Sequence, residues 1–142
     1  MKLFFLLSAL FIFSLYPHPP VPFQATVTGV MEGYCLELTY SDGKKENARL
    51  AYIKEPLKSS HEADYRRPCE DSVTAFISQM LKGKEVSVID TLYRDADNRL
   101  LVKIWVDTIP DFNGYLIEKG YARPIRKGTL GYMYNQYSKY EK

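Results

Sequence analysis

Residues 24–53 read QATVTGVMEGYCLELTYSDGKKENARLAYI, and this stretch decides the fold. Apolar and polar side chains alternate in three runs within it, which is typical of strands with one buried face. A Glu-Gly pair separates the first two runs, and Ser-Asp-Gly-Lys separates the last two, with an Asp-Gly pair that favours a tight hairpin turn. The stretch therefore predicts a meander of three strands, over residues 24–30, 35–40 and 46–53.

The residues after the meander indicate a helix. Residues 70–81, EDSVTAFISQML, carry apolar side chains at helical spacing and are followed by Gly83. This pattern predicts an amphipathic helix with one apolar face. Two further helices are expected, a short one within residues 111–122 and a terminal one within 130–140, where apolar side chains recur at steps of three or four.

Two more strands are predicted between these helices. Residues 85–92 and 100–106 have strand-like patterns on either side of the polar turn 94–98, so they form a predicted hairpin. Five strands divided three and two by a helix is the order of an OB-type barrel, which closes its sheet. The predicted fold class is therefore β-rich α+β, a five-stranded OB-type β-barrel with two or three helices. Trp105 lies in the most apolar strand and is expected in the core.

The composition is that of one globular domain whose small net charge creates no strong electrostatic field. A chain of 142 residues is long enough to bury a core of its own. The formal charge of +2 attracts polyanions only weakly, so any affinity for nucleic acid has to come from a local patch. Aromatic residues make up 14% of the chain and are mostly tyrosine.

The N-terminus has the character of a targeting segment. Residues 1–16 place one lysine before an apolar run, as in a signal peptide, which predicts a secreted or exported protein. The run is shorter than the ~20 residues of a membrane-spanning helix, but no small-x-small cleavage pair follows it. A membrane anchor formed by residues 3–16 therefore stays open. Residues 17–23 form a proline-rich linker, and the folded domain covers residues 24–142.

Two cysteines, Cys35 and Cys69, are far apart in the chain. Export would allow them to pair, and the sequence leaves that open, although simple burial of Cys35 is the favoured interpretation. Together with His18 and His61 they show no spacing typical of zinc.

Four segments resemble the staphylococcal nuclease family of thermonuclease-like domains. They are ATVTGVMEGYCLEL (25–38), ARLAYIKEP (48–56), DADNRLLVKIW (95–105) and FNGYLIEKGYARP (112–124). The resemblance extends over about Ala25 to Tyr140. It implies the barrel already predicted from the element order.

The resemblance also implies a phosphodiesterase site. In that family carboxylates hold a Ca²⁺ ion, a glutamate activates the attacking water, and two arginines stabilise the negative charge that develops on the phosphate. Arg49 and Arg99 stand at the two arginine positions, so the resemblance implies that these two side chains face a phosphate.

The acidic positions of the family are replaced. Tyr34 stands where the resemblance puts one metal-binding aspartate, Lys54 where it puts the second, and Leu57 where it puts the glutamate base. Glu32 and Glu55 are the remaining candidates for a metal, and a lysine at a ligand position repels a cation. We therefore expect no cofactor and no Ca²⁺-dependent cleavage.

The leading hypothesis is a catalytically inactive, nuclease-derived module that binds single-stranded nucleic acid or another phosphate-bearing ligand. Arg49, Lys54 and Arg99 would bind phosphate, while Tyr34 and Tyr52 would stack on bases. The basic run RPIRK at 123–127 could add a contact, but a charged loop of this size is usually only solvated.

Two other functions stay open. One is a Ca²⁺-dependent phosphodiesterase in which Glu32 and Glu55 supply the metal after local rearrangement. The other is an adaptor that binds a protein partner, in which the arginines are structural and pair with Glu32, Glu46 or Asp97. Tyrosines of the C-terminal third are expected to pack rather than to stack on bases, namely Tyr115, Tyr121, Tyr132, Tyr134, Tyr137 and Tyr140.

Overall fold

The computed structural model describes residues 21–56 and 70–125, with the side chains of Glu70 and Asp71 excepted. The N-terminal segment, Leu57, Cys69 and the predicted terminal helix lie outside these residues, so the predictions made for them stay predictions.

Seven strands and two helices occur in the described residues. In chain order they are β1 (Phe23–Met31), β2 (Cys35–Thr39), β3 (Lys45–Leu50), β4 (Ile53–Lys54), α1 (Glu70–Leu81), β5 (Glu85–Arg94), β6 (Leu100–Trp105), α2 (Phe112–Glu118) and β7 (Arg123–Pro124).

Five of the strands close into a barrel in the order β1-β2-β3-β6-β5. The neighbours β1–β2, β2–β3, β5–β6 and β1–β5 are antiparallel, whereas β3 and β6 run parallel. β4 and β7 form a separate two-stranded antiparallel sheet. This confirms the predicted five-stranded OB-type barrel.

The barrel interior is filled by every second residue of its strands. The inward side chains are almost all aliphatic and at most 1% exposed, and they include Val27, Leu36, Leu38, Ala48, Leu50, Val86, Val88, Val102 and Ile104. Burying a side chain of this size stabilises the fold by roughly 1.5–3 kcal/mol relative to leaving it exposed. The same alternation places the residues between them on the outer surface, where a ligand can reach them.

Helix α1 has the bounds that its apolar spacing predicts, and it packs on β1. Val73, Ile77 and Leu81 form its buried face. The amide of Gly83, at a φ of 80°, donates to the carbonyl of Val27 at 2.7 Å and thereby fixes the end of the helix to the barrel. None of the helices in the described part of the chain has the length and apolar character needed to cross a membrane.

Helix α2 lies against β6 and begins at a capped position. The carboxylate of Asp111 accepts a hydrogen bond from the amide of Gly114 at 3.1 Å. Phe112, Leu116 and Ile117 face the core, as predicted. The predicted packing role also holds for Tyr121, whose ring stacks on that of Phe76 at 4.2 Å.

Two predictions about the strands were wrong. The third strand ends at Leu50 and not at Ile53, because Ala51 and Tyr52 form a turn in which Tyr52 has a φ of 67°. Trp105 is not in the core, since its side chain is 49% exposed. Val102 and Ile104 take the inward positions of β6, so Trp105 falls on the outer face, and its indole nitrogen donates to the carbonyl of Asp107 at 3.3 Å.

Candidate functional site

Three neighbouring strands place two arginines and a cysteine on one outer face of the barrel. Arg49 of β3 pairs in register with Cys35 of β2 on one side and with Leu101 of β6 on the other. Arg99 lies immediately before β6, and a hydrogen bond from its Nη1 to Cys35 Sγ at 2.9 Å places it beside Cys35. We call Cys35, Arg49, Arg99 and Leu101 the arginine face.

The guanidinium of Arg49 has no balancing carboxylate within the described residues, where it forms neither an ion pair nor a hydrogen bond. Its strand neighbours Ala48 and Leu50 are buried, which directs the half-buried Arg49 outward. Burial raises the pKa of the nearby Cys35 thiol, and the charge of Arg49, with that of Arg99, partly offsets this rise. Arg49 is therefore an outward cation on a strand of the barrel, and no carboxylate of residues 21–56 and 70–125 balances its charge.

Arg99, in contrast, is fully engaged. Its Nε donates to Asp95 Oδ2 at 2.7 Å, its Nη2 to Asp97 Oδ2 at 2.9 Å, and its Nη1 to Cys35 Sγ at 2.9 Å. The side chain is 25% exposed, against 13% for Asp95 and 74% for Asp97. Two carboxylates thus balance its charge, and one of them would have to leave before a phosphate could take its place.

The contacts of Asp95 explain why this ion pair persists. Partial burial acts against ionisation of the carboxylate, but hydrogen bonds from the backbone amide and side chain of Arg99 outweigh it and lower the Asp95 pKa. The same side chain bond raises the pKa of Arg99. Asp95 also accepts from the amides of Asp97 and Arg99, so it orders the whole β5–β6 turn.

Cys35 is a free, buried thiol. Burial raises its pKa, and the nearby guanidinium groups of Arg99 and Arg49 only partly offset that effect. The thiol therefore stays protonated at neutral pH, with the carbonyl of Gly33 3.4 Å from its sulfur as acceptor. Burial of Cys35 is confirmed.

The base-stacking candidates Tyr34 and Tyr52 have no exposed ring face. They are 3% and 5% exposed, and each has a positive φ that turns its ring into the core. The hydroxyl of Tyr34 donates to the carbonyl of Tyr121 at 2.7 Å. At the position where the resemblance puts a metal-binding aspartate, the chain thus has the phenol of Tyr34, hydrogen-bonded within the protein. Because both tyrosine rings are buried, neither offers a face on which a base could stack.

Lys54 lies in the β4–β7 sheet. Its direct partner in register is Arg123, and the residues beside them, Ile53 and Pro124, are buried. Arg123 Nε donates to the carbonyl of Glu55 at 2.8 Å. The strand register brings together two cations here that the sequence alone does not pair.

The remaining acidic candidates do not assemble a metal site. Glu32, in the turn after β1, and Glu55, just after β4, are both exposed. The described ranges 21–56 and 70–125 contain no group of three or more His, Cys, Asp or Glu side chains that could hold a metal ion. With a phenol at one ligand position and an ammonium at the other, these residues do not fit the Ca²⁺ ion that the resemblance implies.

Sequence reasoning missed two polar residues that hold the site together. Asp95 precedes Arg99 by four residues within a polar turn, and this spacing was the available signal. Asn113 is a fully buried residue of α2, and its amide nitrogen donates to the carbonyls of Ala51 and Val102, both at 3.0 Å. It links α2 to the strand β6 and to the turn that leads into β4.

A family model described as Staphylococcal nuclease homologue matches residues 47–142, a range that includes Arg49, Lys54 and Arg99. No curated protein matches the chain.

Proposed function

Because the chain belongs to the staphylococcal nuclease homologue family, we propose that it is a catalytically inactive member that binds single-stranded nucleic acid or another phosphate-bearing ligand on the arginine face. The observation that carries this proposal is Arg49, an outward guanidinium on a rigid strand without a balancing carboxylate in the described residues. A planar cation of this kind binds phosphate oxygens through two parallel hydrogen bonds.

Binding without hydrolysis follows from the residues around Arg49. Hydrolysis of a phosphodiester in this family needs an ion held by carboxylates and a base beside the attacking water. The chain places Tyr34 and Lys54 at the two ligand positions, and the phenol of Tyr34 is bound to a backbone carbonyl. A site of this composition attracts a phosphate by charge but supplies neither activated water nor a metal ion.

The proposal is tested by binding. The full chain, purified in a mild detergent, is titrated against a fluorescently labelled thymidine strand of about ten nucleotides, within the range of OB-fold sites. Each phosphate contact on a single strand contributes a salt slope of ~0.7, so Arg49→Gln is expected to weaken binding about fivefold at about 0.1 M salt.

Lys82→Gln is the matched control, because Lys82 is an exposed cation beyond α1 and the change removes the same charge. Equal loss of affinity in both variants would reduce the effect to net charge and contradict a site at Arg49. Absence of binding by the wild-type chain to both DNA and RNA would favour the protein-binding adaptor instead.

A further inference from the structure

The β4–β7 sheet holds two positive side chains directly opposite each other. Lys54 and Arg123 are partners in register, and both are half-buried. Ile53 is fully buried, and its partner Pro124 is buried as well, so the two cations share the other side of the ladder. Like charges in directly opposed positions destabilise a sheet.

No carboxylate in the described part of the chain offsets this repulsion. Neither Lys54 nor Arg123 forms an ion pair there. Arg123 Nε donates to the backbone carbonyl of Glu55, a neutral acceptor that orients the guanidinium but leaves its charge unbalanced. Within the described residues, the remaining guanidinium nitrogens and the Lys54 ammonium thus have no charge partner, and together they offer two positive groups to an anion.

The backbone holds this pair rigidly. Tyr52, just before β4, has a φ of 67°, a conformation that a bulky residue adopts only when its surroundings enforce it. Its carbonyl accepts from the amide of Ile125 at 2.9 Å, so it fixes β7 as well as β4. This turn thus holds the strands that place the two cations side by side.

We infer that Lys54 and Arg123 form a second phosphate-binding pair beside the arginine face, and that the ligand carries at least two phosphate groups. This inference rests on the proposed function, because Arg49 binds the other phosphate. The backbone from Arg49 to Lys54 spans at most about 18 Å, so one ligand strand can contact both.

Competition experiments with the full chain test whether the two phosphates belong to a nucleic-acid strand or to a single diphosphate group. The unlabelled competitors of the labelled thymidine strand are thymidine monophosphate, thymidine diphosphate, inorganic pyrophosphate and a thymidine dinucleotide with a 5′-phosphate. We expect the three competitors with two phosphorus groups to displace the strand at lower concentration than the monophosphate. Superiority of the dinucleotide assigns the site to a nucleic-acid strand, and superiority of pyrophosphate or the diphosphate assigns it to a diphosphate group. Equal potency of all four competitors would overturn the inference.

Variants provide the second readout. Lys54→Gln and Arg123→Gln are each expected to weaken strand binding about fivefold at about 0.1 M salt and to reduce the salt slope by ~0.7. Neither should change the potency of the monophosphate, which needs only Arg49. Lys54→Gln should also raise the melting temperature of the ligand-free protein, because it removes the charge that repels Arg123. The melting transition itself shows that the variant folds.

The variants distinguish failure of the Lys54–Arg123 pair from failure of phosphate binding at Arg49. If Arg49→Gln weakens strand binding but Lys54→Gln and Arg123→Gln behave like the Lys82→Gln control, this inference is wrong and the proposed function stands. If the wild-type chain binds none of the probes, both are wrong.

Discussion

Arg49 of β3 and Arg99, which lies just before β6, belong to one face of the barrel, but the surroundings of their guanidinium groups differ. Arg99 binds Asp95, Asp97 and Cys35, whereas Arg49 has no such partner within the described residues. The resemblance treats the two arginines alike. The side chains around them make Arg99 a structural part of the β5–β6 turn, and among the described residues they leave Arg49 without a balancing carboxylate.

The role of Asp95 leads to a pH-dependent prediction. Asp95→Asn is expected to lower the free energy of unfolding at neutral pH by about 1 kcal/mol, because it removes a charge-assisted bond to Arg99 that solvent partly screens. The Asp95 pKa is lowered from 3.8 in the folded state, so this contribution is complete well above 3.8 and declines as the pH falls from there through the lower pKa of the folded state. Urea unfolding of both proteins at neutral pH and near pH 3 measures the difference.

Asp97→Asn is the control, because Asp97 binds the same guanidinium but is 74% exposed. It should cost less than about 0.5 kcal/mol. A difference between wild type and Asp95→Asn that is as large near pH 3 as at neutral pH would contradict the assignment to the ionised carboxylate.

The residues that sequence reasoning placed least well are those with unusual backbone conformations. Gly33 signals a turn, but nothing in the sequence indicates that Tyr34 also adopts a positive φ and turns its ring inward. Left-handed residues are usually Gly, Asn or Asp, so a tyrosine in that conformation gives no local signal. Predictions that Tyr34 and Tyr52 face a ligand depended on that missing information.

Among the elements, α1 could be predicted to the residue and β3 could not. The apolar spacing of α1 is complete and Gly83 ends it, whereas residues 50–53, Leu-Ala-Tyr-Ile, are all buried and therefore hide the turn between β3 and β4. A fully buried run has no alternation from which the end of a strand can be read.

Helix α2 depends on Asn113 for its position on the barrel. Its side chain oxygen accepts from the amide of Ile104 at 3.3 Å, in addition to the two bonds that its amide nitrogen donates. Asn113→Ala is expected to lower the free energy of unfolding by about 2–4 kcal/mol, because the backbone groups of Ala51 and Ile104 stay buried without this partner. Chemical unfolding followed by circular dichroism measures the change.

Asn47→Ala serves as the matched control, since Asn47 is an exposed residue of β3. It should change the free energy of unfolding by no more than about 0.5 kcal/mol. Similar effects of the two substitutions would show that the buried amide network does not hold α2 in place.

For the whole molecule, the order of strands and helices was sufficient to predict a closed barrel, and the family match agrees with it. The pairing of β4 with β7 was not predictable, because it joins residues 53–54 to 123–124 over a long separation and involves only two residues from each strand. The candidate site includes residues of both kinds. The positions of Arg49 and Arg99 follow from the sequence resemblance, whereas the pairing of Lys54 with Arg123 follows only from the fold.

The central claim is that this chain has kept the barrel of its family and binds phosphate without cleaving it. The most direct test incubates the full chain with single-stranded DNA and RNA, with and without Ca²⁺, and follows binding and strand length in the same samples. We predict binding that salt weakens, with strands of unchanged length under both conditions. Ca²⁺-dependent cleavage that Arg49→Ala abolishes would contradict the claim.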